Sequence, residues 1–420
     1  MIRQSRLLPR TSLPLLGAMC ALLAVLAGCN NQDSSNTLPS GQVIQITGSC
    51  FVKSWQTQLR MNRGESVRDM YLDGDSLHIE TDQNFDHALH AGSGELQFFN
   101  QVADPQIQTK GGPAMVEGGF VIARGSELYL FSRDGRMQRA IDLGNTISNQ
   151  PVSVSPGKSL VIVGLDESGG RVAEVDVSRD IDPVQWEIMT NGIVDGAVAV
   201  TAGGIYAGSE DGGVRAFADD RTPMWPLLQG SDFKCGGPIV SAVRGDHPDL
   251  KSGEPHSIYF GATDGVLYCV DTANGRMRWR YFAGTPLETA PQVTLSSVYQ
   301  YVPGKGLVAL DRLHKITLPD GTATDVDPFP QPRWTVRYAK AFLAEDAQYT
   351  YALSSTNSLL ALDKQTGALA FQSRIKGLRT AAVNLKSSTI YASTRSGVVL
   401  AIQPVLEPGS YGELVMAAPR

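Results

Sequence analysis

The residue with the clearest chemical assignment is Cys29, which closes the run Leu26-Ala-Gly-Cys29. Arg3, Arg6 and Arg10 lead into an uncharged stretch, 13–28, shorter than the roughly 20 residues a bilayer-spanning helix needs. A basic start, an apolar centre and small residues before a cysteine make the bacterial lipobox pattern, in which a signal peptidase cuts before the cysteine and its thiol carries diacylglycerol. Each buried methylene adds roughly 0.8 kcal/mol, so several acyl chains on one cysteine hold a protein stably at a membrane. The sequence therefore predicts a signal peptide over 1–28 and a lipidated tether over 29–49. Within the tether, 30–41 is rich in Asn, Ser and Gln and poor in apolar residues, the composition of a disordered segment. Asn30 stands where an Asp would retain a lipoprotein in the inner membrane of Gram-negative bacteria, which predicts an outer-membrane anchor facing the periplasm.

The remaining groups capable of chemistry form no catalytic pattern. Six histidines are scattered, and the one close pair, His87 and His90, points to opposite faces if it lies on a strand, so it is read as solvated or in a turn. Asp73-Gly-Asp75 suits calcium chemically but lacks the spacing of a calcium loop, and it stands where a hairpin needs a turn. Gly236-Gly237-Pro238 does not link a strand to a helix, as a phosphate cradle would. Apart from Cys20 and Cys29, the cysteines are Cys50, Cys235 and Cys269, an odd set matching no metal motif. Cys269 reads as a small buried hydrophobe, and a Cys235–Cys269 bridge stays open. No catalytic residue, cofactor or metal site is expected.

Composition narrows the class further. A hydrophobic share of 42% with 43 glycines and 23 prolines suits an all-β chain with many turns. Removing 1–28 takes three arginines and no acidic residue from 36 basic and 42 acidic ones, leaving a charge of −9. No basic stripe is left to attract nucleic acid.

The elements that must position any site follow from a repeat of about 45 residues: apolar strand, turn, a strand ending in Ala-Leu-Asp or a variant, a Gly turn, then an aromatic. Its anchor residues are Ala88, Leu130, Glu174, Ala216, Cys269, Ala309, Ala361 and Ala401, at intervals of 42, 44, 42, 53, 40, 52 and 40. Gly94, Gly275 and Gly367 stand six beyond three anchors, and Phe98, Trp279 and Phe371 ten beyond. Each period also has a short first strand that often opens on proline, as at Pro113, Pro151, Pro238 and Pro291, where a missing N–H breaks no ladder. Four antiparallel strands per period make one propeller blade, and eight anchors predict an eight-bladed β-propeller over 50–403 with a tail over 404–420. The eighth copy lacks a fourth strand, which the segment around Trp55 supplies from the N-terminal end; a weaker alternative is Tyr411-Gly-Glu-Leu. All five tryptophans then fall at outer-strand positions and read as packing between blades.

The phrases Asp264-Gly-Val-Leu-Tyr-Cys-Val-Asp271 through Asn274, Gly275 and Trp279, and Asn357-Ser-Leu-Leu-Ala-Leu-Asp363 through Gly367 and Phe371, resemble the pyrroloquinoline-quinone-type propeller repeat. The resemblance is strongest at the Cys269 and Ala361 anchors and weakest at Leu130 and Glu174. One branch of that family, the quinoprotein alcohol dehydrogenases, binds quinone and calcium in the central funnel and typically shows a disulfide between adjacent cysteines; this chain has no Cys-Cys pair. The other branch, lipoproteins similar to BamB, matches in length, lipobox, copy number and N-terminal closure. The resemblance implies a non-enzymatic, membrane-anchored scaffold with a protein partner, such as an outer-membrane β-barrel assembly subunit. The alternative is a quinone- or carbohydrate-binding periplasmic propeller.

Two insertions, 223–256 and 311–333, exceed ordinary loop length and are the expected partner-binding surface. The first carries Trp225, Phe233, His247 and His256; the second carries Asp320, Asp325, Asp327 and Phe329. Trp225, Phe233, His247, Asp325 and Phe329 are the candidate contact residues.

Overall fold

The computed structural model describes residues 46–47, 50–107, 111–155, 157–166, 169–225, 233–250, 256–313, 315–317 and 323–404. The expected signal peptide, Cys29, most of the tether and the tail beyond Pro404 lie outside them, as does Tyr411.

Within those residues the chain is all-β and forms eight antiparallel blades in a ring. Blades 1 to 8 span 67–101, 114–142, 152–189, 199–234, 244–282, 292–336, 339–375 and 378–404. The middle strands of a blade are covered on both faces by neighbouring blades, so they are near-continuous apolar runs. Tyr349–Ser354 and Ser257–Gly261 are buried at every position. Fourth strands meet solvent and are mixed, as in Leu96–Gln101.

Ring closure follows the expected route. Phe51–Gln58 pairs antiparallel with Val398–Pro404 as the fourth strand of blade 8, with Trp55 opposite Ala401. Ahead of it, Ile46–Thr47 adds a short strand to the outer edge of blade 7, a pairing that no sequence signal indicated. The chain start is thus hydrogen-bonded into two blades, and Phe51–Gln58 covers the edge that Val398–Pro404 would otherwise expose.

The eight anchor residues share one structural position on the third strand. In five blades a second-strand tyrosine pairs across from the anchor: Tyr206, Tyr259, Tyr299, Tyr351 and Tyr391. On the other side the partner is a large fourth-strand residue, such as Phe98, Trp186, Trp279, Trp334, Phe371 or Trp55. Four indoles then bridge to the following blade. Trp55 Nε1 donates to the Ala91 carbonyl at 2.8 Å, Trp225 to Thr272 at 2.8 Å, Trp279 to Arg312 at 3.2 Å and Trp334 to Lys364 at 3.0 Å. Every acceptor lies three residues beyond its blade's anchor.

The turn glycines complete this seam. Gly275 has φ +70°, and a Cβ there would come within 2.7 Å of the Trp225 ring; Gly367 stands in the same relation to Trp334. Glycine is needed both for the left-handed turn and for the approach of the neighbouring indole.

Two expectations need correction. Pro238 does not open a strand: the innermost strand of blade 5 is Arg244–Gly245, and Pro238 belongs to the crossing between blades, where its carbonyl accepts from Thr263 N. Nor is 223–256 a single surface loop, because Phe233–Lys234 is the fourth strand of blade 4 and Arg244–Gly245 the first of blade 5. Asp73-Gly-Asp75 is a hairpin turn as expected, with Gly74 at φ +57°.

Candidate functional site

The second insertion builds a surface on the rim of the disc. Arg333 Nη1 donates to Asp311 at 2.6 Å, clamping the insertion's two ends. Between them, Lys315–Thr317 and Ala323–Val326 pair as a small hairpin, and the return segment lies along the fourth strand of blade 5, where Arg280 N donates to the Pro328 carbonyl at 3.0 Å. Asp327 Oδ1 accepts from Phe329 N at 2.9 Å and fixes the turn that presents the Phe329 ring. That ring stacks on Phe282 with centroids 6.1 Å apart, and the Arg280 guanidinium lies 5.0 Å from one ring and 5.2 Å from the other. Phe282 is 53% exposed and Phe329 47%, so two adjacent aromatic faces meet solvent with a cation between them. Clusters of aromatic and arginine side chains are the residue types that dominate binding energy at protein interfaces.

The first insertion contributes something else. Its segment 246–250 leans over the axis, where the innermost strands of the blades surround a cavity of about 530 Å³. His247 is buried, and its Nε2 lies 3.3 Å from the Leu385 carbonyl of blade 8, so a loop of blade 5 bridges one mouth of the channel. Beside it His247, Pro248, Leu295, Glu345 and Leu385 line a smaller recess of about 420 Å³. Asp246 anchors the bridge: its carboxylate accepts from Ser257 N at 2.5 Å, Tyr259 Oη at 2.9 Å and Arg312 Nη1 at 3.3 Å.

The five candidate contact residues therefore separate. Phe329 stands exposed on the rim as a contact residue would. Trp225 does not: it is 2% exposed, wedged between blades 4 and 5 with its indole donated to Thr272. Phe233 packs edge-on against Phe260 and Tyr268 at 5.8 and 5.5 Å, in the core of the same two blades. His247 closes the channel instead of facing outward. Asp325 lies on the hairpin strand Ala323–Val326, and its side chain is outside the described residues.

Of the other reactive groups, Cys235 and Cys269 are free thiols, so no Cys235–Cys269 bridge forms. Cys269 is fully buried, and burial pushes its thiol up to about 12. His90 is exposed as expected, but His87 is buried, stacked on Phe99 at 5.7 Å, because the outer strand folds over that face. Among the described residues no group of three or more His, Cys, Asp or Glu side chains could hold a metal ion.

Sequence reasoning missed three polar features. His78 Nδ1 lies 2.9 Å from Asp86 in the interior, at the position where other blades carry the tyrosine. Glu80 is held by Arg68 and by Arg124 of the next blade, each at 2.7 Å. Arg244 faces the axial cavity from the innermost strand of blade 5. A blade-by-blade alignment would have flagged His78 and Arg244, since each breaks the residue type of its row; Glu80 pairs with residues distant in sequence and left no local signal.

No family model matches the chain, and no curated protein sequence matches it. Solved structures do match in fold. BamB from Moraxella catarrhalis aligns at TM-score 0.59 with 15% identity over 85% of this chain and 99% of that one. Quinohemoprotein alcohol dehydrogenase from Comamonas testosteroni aligns at 0.58 with 12% identity, over 86% of this chain and 78% of the other. The C-terminal WD40 domain of Sif2 gives 0.57 with 11% identity, covering 85% and 99%. At such identities the likeness extends to the propeller itself.

The channel residues can be tested against quinone and calcium, the groups implied by the dehydrogenase branch of the resembling family. Calcium takes six to eight oxygen ligands. The carboxylates lining the cavity are Asp73 and Asp246, and Asp246 is already engaged by three donors. This donor set does not fit a calcium ion.

Proposed function

We propose that this protein is a non-enzymatic binding scaffold, anchored to the outer membrane through Cys29 and facing the periplasm, which docks a protein partner in the assembly of β-barrel proteins. The observation that carries the reading is the exposed Phe282–Phe329 ring pair with Arg280 against it, presented by an insertion clamped onto a closed ring. A rigid disc loses little conformational entropy on binding, so a small cluster of aromatic rings can drive association. The likeness of the fold to BamB and the lipobox at 26–29 support the choice of compartment and partner.

The test is cross-linking in membranes followed by purification of the full chain and identification of what it carries. Wild type should recover an outer-membrane barrel protein, and Phe282→Ala with Phe329→Ala should lower that recovery at least tenfold, the effect of removing about 1.4 kcal/mol or more. Undiminished recovery by the double variant would move the dock elsewhere on the disc. Absence of any barrel protein from wild type, or dye reduction that depends on added quinone and calcium, would overturn the scaffold reading.

A further inference from the structure

The register that aligns the anchors also aligns the innermost strands, and there one blade differs from the rest. Opposite the second-strand residue of the anchor row, blades 4, 7 and 8 place Ala199, Ala344 and Ala382, and blades 1, 2 and 3 place Tyr, Ala and Val. Blade 6 places Gln292, and blade 5 places Arg244. A guanidinium thus enters a ring of otherwise neutral residues around the axis, just beneath the His247 bridge.

Nothing in the described residues answers its charge. Arg244 makes no ion pair or hydrogen bond there, and its Nε is buried without a partner. Burial alone accounts for the downward pull on its pKa, with no neighbouring carboxylate opposing it. The two carboxylates of the cavity are taken up elsewhere: Asp246 by Arg312, Tyr259 and Ser257, and Asp73 by the field of Lys386 and His78, which opposes the upward shift that burial gives it. Arg244 is half-buried with its Nε enclosed, and a cation drawn that far from water without a counter-ion is costly, so such groups in native proteins are normally paired.

We propose that the axial channel is a binding site for a small organic carboxylate, with Arg244 as its counter-ion. The planar fork of a guanidinium matches the two oxygens of a carboxylate. The amide of Gln292, on the adjacent blade at the same register, supplies a further donor, while Met70, Leu72, Val293 and Val383 give the cavity an apolar wall for the rest of the molecule. About 530 Å³ is the size of a small-molecule site. Because Lys386 and Asp73 offset each other, one positive charge is left over, which suits a single carboxylate better than a dianionic phosphate.

Calorimetric titration of the full chain at constant ionic strength, with acetate, benzoate, succinate and inorganic phosphate as probes, tests the site. At least one carboxylate should bind saturably with a stoichiometry of one, more tightly than phosphate. Arg244→Gln should weaken it roughly 10- to 100-fold, with Arg244→Lys in between. Gln292→Glu should abolish binding and raise the melting temperature, because it provides a resident carboxylate; this arm stays informative if the Arg244 variants fail to fold. Absence of saturable binding by every carboxylate, preference for phosphate, or unchanged affinity in Arg244→Gln would each overturn the proposal. None of these readouts depends on a protein partner, so their failure leaves the scaffold reading untouched, and the reverse.

Discussion

Blades 4, 5, 6 and 8 join their successors by one device, and blades 1 to 3 by three others. In the first group an indole crosses the seam and donates to the carbonyl three residues beyond the next anchor. In blade 1 the crossing residue is Phe98, which stacks on Phe120 of blade 2 at 5.4 Å, and the seam is completed by the buried Arg124–Glu80 pair. Blade 2 uses Arg139, opposite Leu130, whose guanidinium donates to the Val177 carbonyl. Val177 again lies three residues beyond its anchor, so an arginine occupies the role of the indole. Blade 3 sets Trp186 across from Glu174, where burial raises the carboxyl's pKa, and the indole instead meets Phe217 edge-on. The ring tolerates several solutions to one geometric requirement: a large residue at one register that crosses to the next blade, with or without a hydrogen bond to the carbonyl beyond the next anchor.

The sharpest way to break this comparison is to remove the crossing residue from each group. Trp279 is fully buried, and Trp279→Ala deletes both its packing and the bond to Arg312, so urea unfolding should show a loss of about 3–5 kcal/mol. Next comes Glu80→Gln, which leaves Arg124 buried without its charge partner and should cost about 3 kcal/mol. Adding Arg124→Met to Glu80→Leu should recover much of that loss, because an apolar pair needs no desolvation of charge. Arg139→Ala should cost only about 1 kcal/mol, since its partner Asp180 is exposed and the guanidinium is partly solvated. Equal losses for Trp279→Ala and Arg139→Ala would mean that the carbonyl bond, and not aromatic burial, sets the strength of a seam.

The same contrast explains what could be read in advance. The anchor recurs eight times, and the turn glycines and the five tryptophans mark several of the copies, so blade number and closure by Trp55 were legible from the chain alone. Strand starts failed where a local cue had two meanings: Pro238 suits a strand opening as well as a crossing between blades, and only the pairing of Arg244 with Tyr259 decides. Site residues were least legible. Whether Trp225 or Phe329 faces solvent depends on the neighbouring blade, because the glycine at 275 receives one ring while Arg280 and Phe282 leave the other on the rim. His247 looked like an outward loop residue because its contact with Leu385 joins positions 138 apart. Resemblance was weakest at Leu130 and Glu174, where Arg139 and the Trp186–Phe217 contact carry the seam through contacts that the repeat does not encode.

The smallest effect concerns His78, which takes the tyrosine's place in blade 1. Burial favours its neutral form, but the Asp86 carboxylate 2.9 Å away, with Asp73 and Glu80 beyond it, outweighs burial and raises its pKa above the ordinary value of about 6.5. The folded state therefore binds this proton more tightly than the unfolded chain does. The stabilisation is fully present below about pH 6.5 and is lost as pH rises through the folded value. Because the two influences oppose each other, the net contribution should be smaller than that of any seam residue above. Denaturant unfolding of wild type and His78→Phe between pH 5 and 9 isolates it: their difference should shift in favour of wild type as pH falls. A difference that does not vary with pH would mean that the Phe98 and Phe120 rings hold His78 by packing alone, and that blade 1 matches the aromatic seams more closely than its charges suggest.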